Sequence, residues 1–218
     1  MAKKIIKLIN NIATTINSDK SVSDKIKVVF LENYCVSVAE KVFPASDLSE
    51  QISTAGCEAS GTGNMKFMMN GALTIGTYDG ANIEIAEAVG KDNIFIFGLK
   101  VEEILQLQNN RYNPQDYINS FRILSEVIKL IQSDYFSNNE KGIFEPIIES
   151  IYSGDRYFIC ADFEDYYNTQ KKVDEVYLNQ DAWVEKSIIN VANSGTFSSD
   201  NTIRNYARDI WKIATGRT

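Results

Sequence analysis

The sequence predicts an α/β fold, with a parallel sheet and flanking helices in the first half of the chain and helices alone in the second. Short β-branched runs alternate with helical segments, through short connections, up to about residue 110. Parallel strands require crossover connections, and helices usually supply them, so this alternation favours a Rossmann-like sheet. The chain has 218 residues, of which 44% are hydrophobic, enough for one sizeable core.

The first half is expected to hold three strands and five helices. The β-branched and aromatic runs at 26–31, 73–77 and 94–97 predict the strands. Apolar residues spaced three and four apart predict helices in the opening segment and at 36–43, 64–70, 80–89 and 101–108.

Two residues are expected to mark helix ends in this half. We expect Gly71 to end the helix 64–70 in a left-handed conformation. Asp79 is placed to cap the helix that follows.

Beyond residue 110 the helical pattern continues without a convincing strand. Helices are predicted at 115–133, 143–152, 162–177 and 181–193. The serines and aspartate of FSSDN can cap one further helix near the end of the chain, a structural role. The predicted division is therefore a sheet-containing core at 1–110 and a helical portion at 111–218.

Charge and composition exclude several classes of function. The formal net charge of −7 argues against nucleic acid or an anionic membrane as a partner, and no apolar run is long enough to span a bilayer. The absence of histidine removes the catalytic arrangements that depend on it. Three scattered cysteines suggest neither a disulfide framework nor a metal site, so we expect a reducing, cytoplasmic setting. The lysine-rich, acid-free opening segment leaves a transit peptide as the alternative.

The segment EASGTGNMKFMMNGALTIGT, residues 58–77, is the most informative of the chain. Its turn Gly61-Thr62-Gly63 offers unobstructed backbone amides and a hydroxyl directly before a predicted helix, as in a phosphate cradle. Lys66 lies in the first turn of that helix, where its amine could condense with an aldehyde whose phosphate rests on the turn.

Simpler interpretations of this segment stay open on the residues alone. Such a turn also closes a βα unit without any ligand, and an isolated helix lysine is usually solvated. The bulky Met65, Phe67, Met68 and Met69 instead predict that Lys66 is buried, which would favour the neutral, nucleophilic amine. The nucleotide-binding interpretations fail, because Thr62 stands where a P-loop requires lysine and the third glycine of the dinucleotide fingerprint is missing.

With the flanking FLENY, DLSEQISTAG and DGANIEIAE, this segment closely resembles the pyridoxal-phosphate-binding core of the α-glucan phosphorylases, which act on glycogen, starch or maltodextrin. The resemblance covers nearly the whole chain and implies the C-terminal portion of a much longer protein. It implies a partial Rossmann-like domain of a glycosyltransferase-B type fold. By the same resemblance, Lys66 carries pyridoxal 5'-phosphate, and Thr62 and Gly63 hold its phosphate. Tyr34 would line the cofactor pocket, and Glu58, Ser60 and Gly61 would bind the glucosyl unit.

The family reaction is phosphorolysis of an α-1,4-glucan by orthophosphate, which gives glucose 1-phosphate, and the full-length family protein is a homodimer. The resemblance implies this glycogen phosphorylase activity for the whole protein, with no activity expected of this chain alone. The alternative is a truncated, non-catalytic chain that at most binds pyridoxal phosphate.

Overall fold

A computed structural model of the chain describes residues 1–214. By their internal contacts, these residues group into two compact units. The first unit contains Met1–Val36 and Glu102–Glu164, and the second contains Ser37–Val101 and the residues from Asp165 onward.

The second unit contains a three-stranded parallel sheet in the order β1-β2-β3. Its strands are β1 (Leu48–Gln51), β2 (Leu73–Thr77) and β3 (Phe95–Phe97). Leu48 of β1 pairs with Leu73, and Ile75 of β2 pairs with Phe95. Every residue of the central strand β2 is buried, which is typical of a parallel sheet covered on both faces.

Eleven α-helices are found in the described part of the chain. In chain order they are α1 (Ala2–Ser18), α2 (Val36–Val42), α3 (Gly63–Met69), α4 (Ala81–Val89), α5 (Val101–Asn109), α6 (Pro114–Ser120), α7 (Arg122–Gln132), α8 (Glu145–Tyr152), α9 (Ile159–Leu178), α10 (Gln180–Asn193) and α11 (Ser199–Asn205). A π-helical segment, Tyr206–Trp211, continues α11.

Two apolar clusters hold the helices of the second unit against its sheet. Leu73 and Ile75, on one face of β2, pack with Val173 of α9 and Trp183 of α10. The other cluster joins α3 and α4 to the start of β3, through Met68, Ile85, Ala86, Val89 and Ile94. Burial of the larger of these side chains, at roughly 1.5–3 kcal/mol each, holds the sheet that carries the candidate site.

The first unit is helical and has its own core. Ile118, Leu124, Ile128, Ile148 and Cys160 form that core. Polar contacts attach α1 within this unit, because Lys4 donates to the carbonyl of Ile143 (3.0 Å) and Asn11 to that of Phe136 (2.7 Å).

This helical unit contains the buried carboxylate of Asp155. Its Oδ2 accepts hydrogen bonds from the Tyr112 hydroxyl (2.8 Å) and the Cys160 amide (2.7 Å). Burial and the neighbouring Asp155 raise the pKa of the Cys160 thiol to about 12, and they also raise the pKa of Tyr112. This thiol and phenol are therefore neutral structural groups at neutral pH.

The prediction of a buried strand at 26–31 was wrong. These residues form no helix or strand, and Ile26, Val29, Phe30 and Leu31 are exposed. An apolar run becomes a parallel strand only where a neighbour satisfies its backbone groups, and the described sheet pairs only β1, β2 and β3.

Most other predicted elements were confirmed to within about three residues at each end; one was divided and one strand was missed. The segment 115–133 forms two helices rather than one, because Phe121 adopts an extended conformation between α6 and α7. Strand β1 was not predicted, because its sequence LSEQ is polar and lacks β-branched residues. Gly71 has a φ of +89° after α3, as expected, and the Ser198 hydroxyl caps α11 by accepting from Asn201. Between residue 110 and residue 214, every regular element is helical, and the predicted domain division at 110 stays a prediction.

Candidate functional site

The glycine-rich segment lies in the loop between β1 and α3, at the carboxyl end of the sheet. Gln51 ends β1 and Thr77 ends β2, so both side chains lie at the same edge of the parallel pair. Together with Glu58, Ser60 and Gly61 of the loop they line a cavity of about 60 Å³. In open parallel sheets this edge is the usual position of a ligand.

Asp79 holds this loop, in a role that the sequence did not indicate. Its side chain is only 8% exposed, and Oδ2 accepts from the backbone amides of Cys57 (3.1 Å) and Glu58 (2.8 Å). The prediction that Asp79 caps the next helix was wrong: Gly80 is the N-cap of α4 and no side chain caps it. The carboxylate is engaged by the loop amides instead, which fixes the backbone at Glu58.

The loop also lies directly against Gly80. The amide of Ala81 donates to the carbonyl of Ser60 (2.8 Å), and a Cβ on Gly80 would lie 2.7 Å from that same oxygen. Gly80 has a φ of +49°, so a side chain there would be strained as well as crowded. Residues 79–81 therefore support the loop through backbone and carboxylate contacts.

A buried amide network connects the loop's helix to the sheet. Asn64 Nδ2 donates to Asn82 Oδ1 (3.0 Å), and Asn82 Nδ2 donates to the carbonyl of Thr77 (3.0 Å). Asn64 and Asn82 are both buried. Such fully paired buried groups specify one arrangement of the start of α3 relative to β2.

Lys66 is exposed, so the prediction that its neighbours bury it was wrong. Helix α3 buries Asn64 and Met68, four residues apart, while Lys66 lies on the other side of the helix. Its Nζ lies 5.8 Å from the centroid of the Phe43 ring. The amine is thus accessible to a ligand while an aromatic face lies near it.

The start of α3 offers groups that fit a phosphate. Thr62 is the N-cap residue, but its side chain makes no capping hydrogen bond, and α3 begins at Gly63. The hydroxyl, the first amides of the helix and a nearby amine form a donor set suited to a phosphate and an aldehyde. The residues present therefore fit pyridoxal phosphate chemically.

The predicted site residues fall into two groups. Glu58, Ser60, Gly61, Thr62, Gly63 and Lys66 form one continuous segment of the second unit. Tyr34 belongs to the first unit, where it is 56% exposed and precedes α2. The expected strand before it is missing, and its place in the cofactor pocket stays a prediction.

The sequence reasoning missed the residues that organise the site, namely Asp79, Asn64 and Asn82. A weak signal was available, because asparagines in the first turns of two consecutive helices are well placed for hydrogen bonds at helix starts. Nothing in the sequence alone indicated that Asp79 bonds to a loop some twenty residues earlier.

Comparison with known proteins places this loop and its helix in a family. The Carbohydrate phosphorylase family matches residues 1–213. Over 217 residues, all of this chain and 26% of the relative, the chain is 52% identical to the muscle form of glycogen phosphorylase from Rattus norvegicus. It is 54% identical to the brain form from Ovis aries over 211 residues, 97% of this chain and 25% of the relative. The human brain form is 53% identical over 213 residues, 98% of this chain and 25% of the relative.

The chain therefore belongs to the carbohydrate phosphorylase family. It spans about a quarter of the length of the curated relatives that it matches. The location of the match within those longer proteins, expected above to be C-terminal, stays a prediction. Among residues 1–214, no helix is both long and apolar enough to cross a membrane.

Proposed function

We propose that this chain provides the pyridoxal-phosphate-binding and part of the glucosyl-binding machinery of an α-glucan phosphorylase. The whole protein would transfer the terminal glucosyl unit of an α-1,4-glucan to orthophosphate and form glucose 1-phosphate. One observation carries the proposal: α3 begins at the Thr62–Gly63 turn and presents an exposed Lys66 on its first turns, directly after the loop of Glu58. A homodimeric, cytoplasmic protein of glycosyltransferase-B type fold is part of the same proposal.

The residues of the chain would divide the work as follows. Thr62 and Gly63 bind a phosphate through a hydroxyl and backbone amides, and Lys66 fixes the cofactor through its amine. Pyridoxal phosphate, when bound, supplies a phosphate group that takes part in proton transfer to the substrate phosphate. Lys66 thereby places that phosphate at the carboxyl end of the sheet.

Glu58 and Ser60 would orient the sugar. A carboxylate accepts hydrogen bonds from sugar hydroxyls, and a hydroxyl can donate or accept. The Asp79 carboxylate accepts from the Glu58 amide at 2.8 Å, so the Glu58 side chain extends from a fixed backbone rather than from a mobile loop. Preorganisation of this kind lowers the entropic cost of orienting a substrate.

The test is cofactor attachment to the purified chain. Pyridoxal phosphate is added, the adduct is reduced with borohydride, and the modified peptides are mapped by mass spectrometry. We expect modification to concentrate at Lys66 and to be lost in Lys66→Arg. The matched control is Lys41→Arg, which changes another exposed lysine of the same unit and should leave the labelling unchanged.

Labelling spread evenly over the lysines, or labelling that survives Lys66→Arg, would contradict the proposal. A second variant separates the proposed glucosyl-binding residue Glu58 from the proposed cofactor-binding residues. Glu58→Gln should leave labelling at Lys66 intact and weaken glucose 1-phosphate binding, because it removes the carboxylate acceptor without changing the phosphate cradle.

A further inference from the structure

A second cavity of the same unit lies along β3 and shares no lining residue with the cavity at Glu58. Its volume is about 580 Å³, against about 60 Å³ at Glu58. Small-molecule sites typically measure about 300–1,000 Å³, so this cavity is large enough for a drug-sized molecule.

Positive charge is concentrated around this cavity, in a chain whose net charge is −7. Four lysines line it, at positions 91, 100, 172 and 186, and Asp92 is the carboxylate among its lining residues. Within residues 1–214, neither Lys91 nor Lys172 forms an ion pair. Lys186 donates to a backbone carbonyl, that of Asp92, which leaves its charge uncompensated by any carboxylate there. Lys91, Lys172 and Lys186, which no carboxylate pairs within the described residues, repel one another, so the arrangement favours an anionic ligand.

Lysines lie near both ends of β3, and much of the remaining wall is apolar. Lys91 precedes the strand and Lys100 follows it, while the bond from Lys186 to Asp92 places that amine at the strand's start. The remaining wall includes Phe95 and Ile96 of β3 and Val176 of α9. A ligand that matches this cavity carries an anionic group on an apolar body.

One polar atom in the wall lacks a partner. Thr169 lies on α9, is 2% exposed and lines the cavity, and its hydroxyl has no hydrogen-bond partner among the described residues. A buried hydroxyl without a partner costs about 1–3 kcal/mol, so such atoms mark places where a ligand or an ordered water completes the structure.

We propose that this cavity is a binding site for an organic phosphate, with the phosphate held by the lysines at the start of β3 and the apolar body against Phe95 and Val176. A phosphate monoester carries about −1.5 to −2 charges at neutral pH and a carboxylate only one, so the excess of lysines over acids favours the phosphate. Lysine binds phosphate as a point charge, without the geometric demands of a bidentate contact. The site is separate from the one proposed at Lys66.

Isothermal titration calorimetry of the whole chain tests this, with phenyl phosphate and inorganic phosphate as probes. We expect phenyl phosphate to bind one-to-one and about tenfold or more tightly than inorganic phosphate, because only the former fills the apolar wall. The double charge reversal Lys91→Glu/Lys172→Glu should weaken phenyl phosphate binding by about tenfold or more.

The matched control is Lys3→Glu/Lys129→Glu, which makes the same change in net charge at exposed lysines of the other unit. It should change the affinity by less than about twofold, since screened charges act weakly at a distance. Circular dichroism checks that both variants fold. Equal losses in the two double variants, binding that survives Lys91→Glu/Lys172→Glu, or no binding of phenyl phosphate at millimolar concentration would each overturn the proposal.

Discussion

Asp155 in the first unit and Asp79 in the second are both buried carboxylates that accept hydrogen bonds from the backbone, at 3% and 8% exposure. The groups around them differ. Asp155 binds the Tyr112 hydroxyl and the Cys160 amide beside a closed helical core, while Asp79 binds the amides of an exposed loop. A buried carboxylate that accepts backbone hydrogen bonds thus stabilises the core of the first unit and shapes an open site in the second.

This difference separates stability from preorganisation. Loss of Asp155 leaves the buried Cys160 amide and the half-buried Tyr112 hydroxyl without their acceptor, whereas loss of Asp79 frees amides of an exposed loop that water can reach. We therefore expect the first carboxylate to matter chiefly for the free energy of unfolding and the second chiefly for the geometry at Glu58. Four predictions test or refine this contrast.

The largest effect is expected for Asp155→Ala. It leaves the Tyr112 hydroxyl and the Cys160 amide unpaired, and should lower the free energy of unfolding by about 3 kcal/mol. Urea unfolding followed by circular dichroism measures this. Asp24→Ala, an exposed aspartate of the same unit, is the control, with an expected change below about 0.5 kcal/mol. A decrease in the free energy of unfolding no larger than that of Asp24→Ala would contradict the role assigned to Asp155.

Asp79→Ala should act on the loop more than on the fold. The amides of Cys57 and Glu58 lose their common acceptor, so their hydrogen exchange should accelerate by about tenfold, equivalent to ~1.4 kcal/mol of local protection. Asp79→Asn keeps an oxygen acceptor and should accelerate exchange less. Exchange at these amides that does not differ between Asp79→Ala and the unchanged chain would contradict the positioning role.

Tyr112→Phe should have a smaller effect than Asp155→Ala or Asp79→Ala. It removes one hydrogen bond to Asp155 while the Cys160 amide stays in place, so the free energy of unfolding should fall by about 1 kcal/mol. The variant also sharpens the comparison, because the double variant Tyr112→Phe/Asp155→Ala should lose less than the sum of the two single losses. Strict additivity in urea unfolding would show that the two residues do not act together.

The smallest effect at neutral pH concerns the Cys160 thiol. Its pKa is raised from 9.0 to about 12 by burial and by Asp155, so the folded chain holds this proton more tightly than the unfolded chain. Its contribution to stability is therefore complete below pH 9 and declines as the pH rises towards 12. Iodoacetamide at pH 8 should modify the exposed Cys57 and spare Cys160. Equal modification of both thiols in the folded chain would contradict this environment.

Much of the fold could be predicted because its signals are local. Strand β2 was predicted with the bounds found, since Leu73–Thr77 is a β-rich run between a glycine and a turn. Strand β1 was missed and 26–31 was predicted wrongly for the same reason: pairing in a parallel sheet is decided by distant neighbours, not by the composition of the segment. Polar Ser49 is buried in β1, while Val29 and Phe30 are exposed.

For the candidate site, too, local features could be predicted and long-range contacts could not. Its segment, 58–66, was indicated by the glycine-rich turn and the lysine, because a phosphate cradle is a local feature. The burial of Lys66 was predicted wrongly, since the identity of its neighbours does not tell which side of α3 faces the sheet. The contacts made by Asp79 and Asn82 were invisible because each crosses about twenty residues of chain.

The apolar run at 26–31 has a practical consequence for work with this chain. IKVVFL is rich in β-branched and aromatic residues, has no proline, and is exposed without pairing to any described strand. Segments of this composition form intermolecular β-structure when they meet their own copies at high concentration. The charged Lys25, Lys27 and Glu32, in and beside the run, act as gatekeepers that oppose this association through charge repulsion and hydration. Solubility on concentration is therefore expected to depend on these three side chains more than on any residue of the folded core.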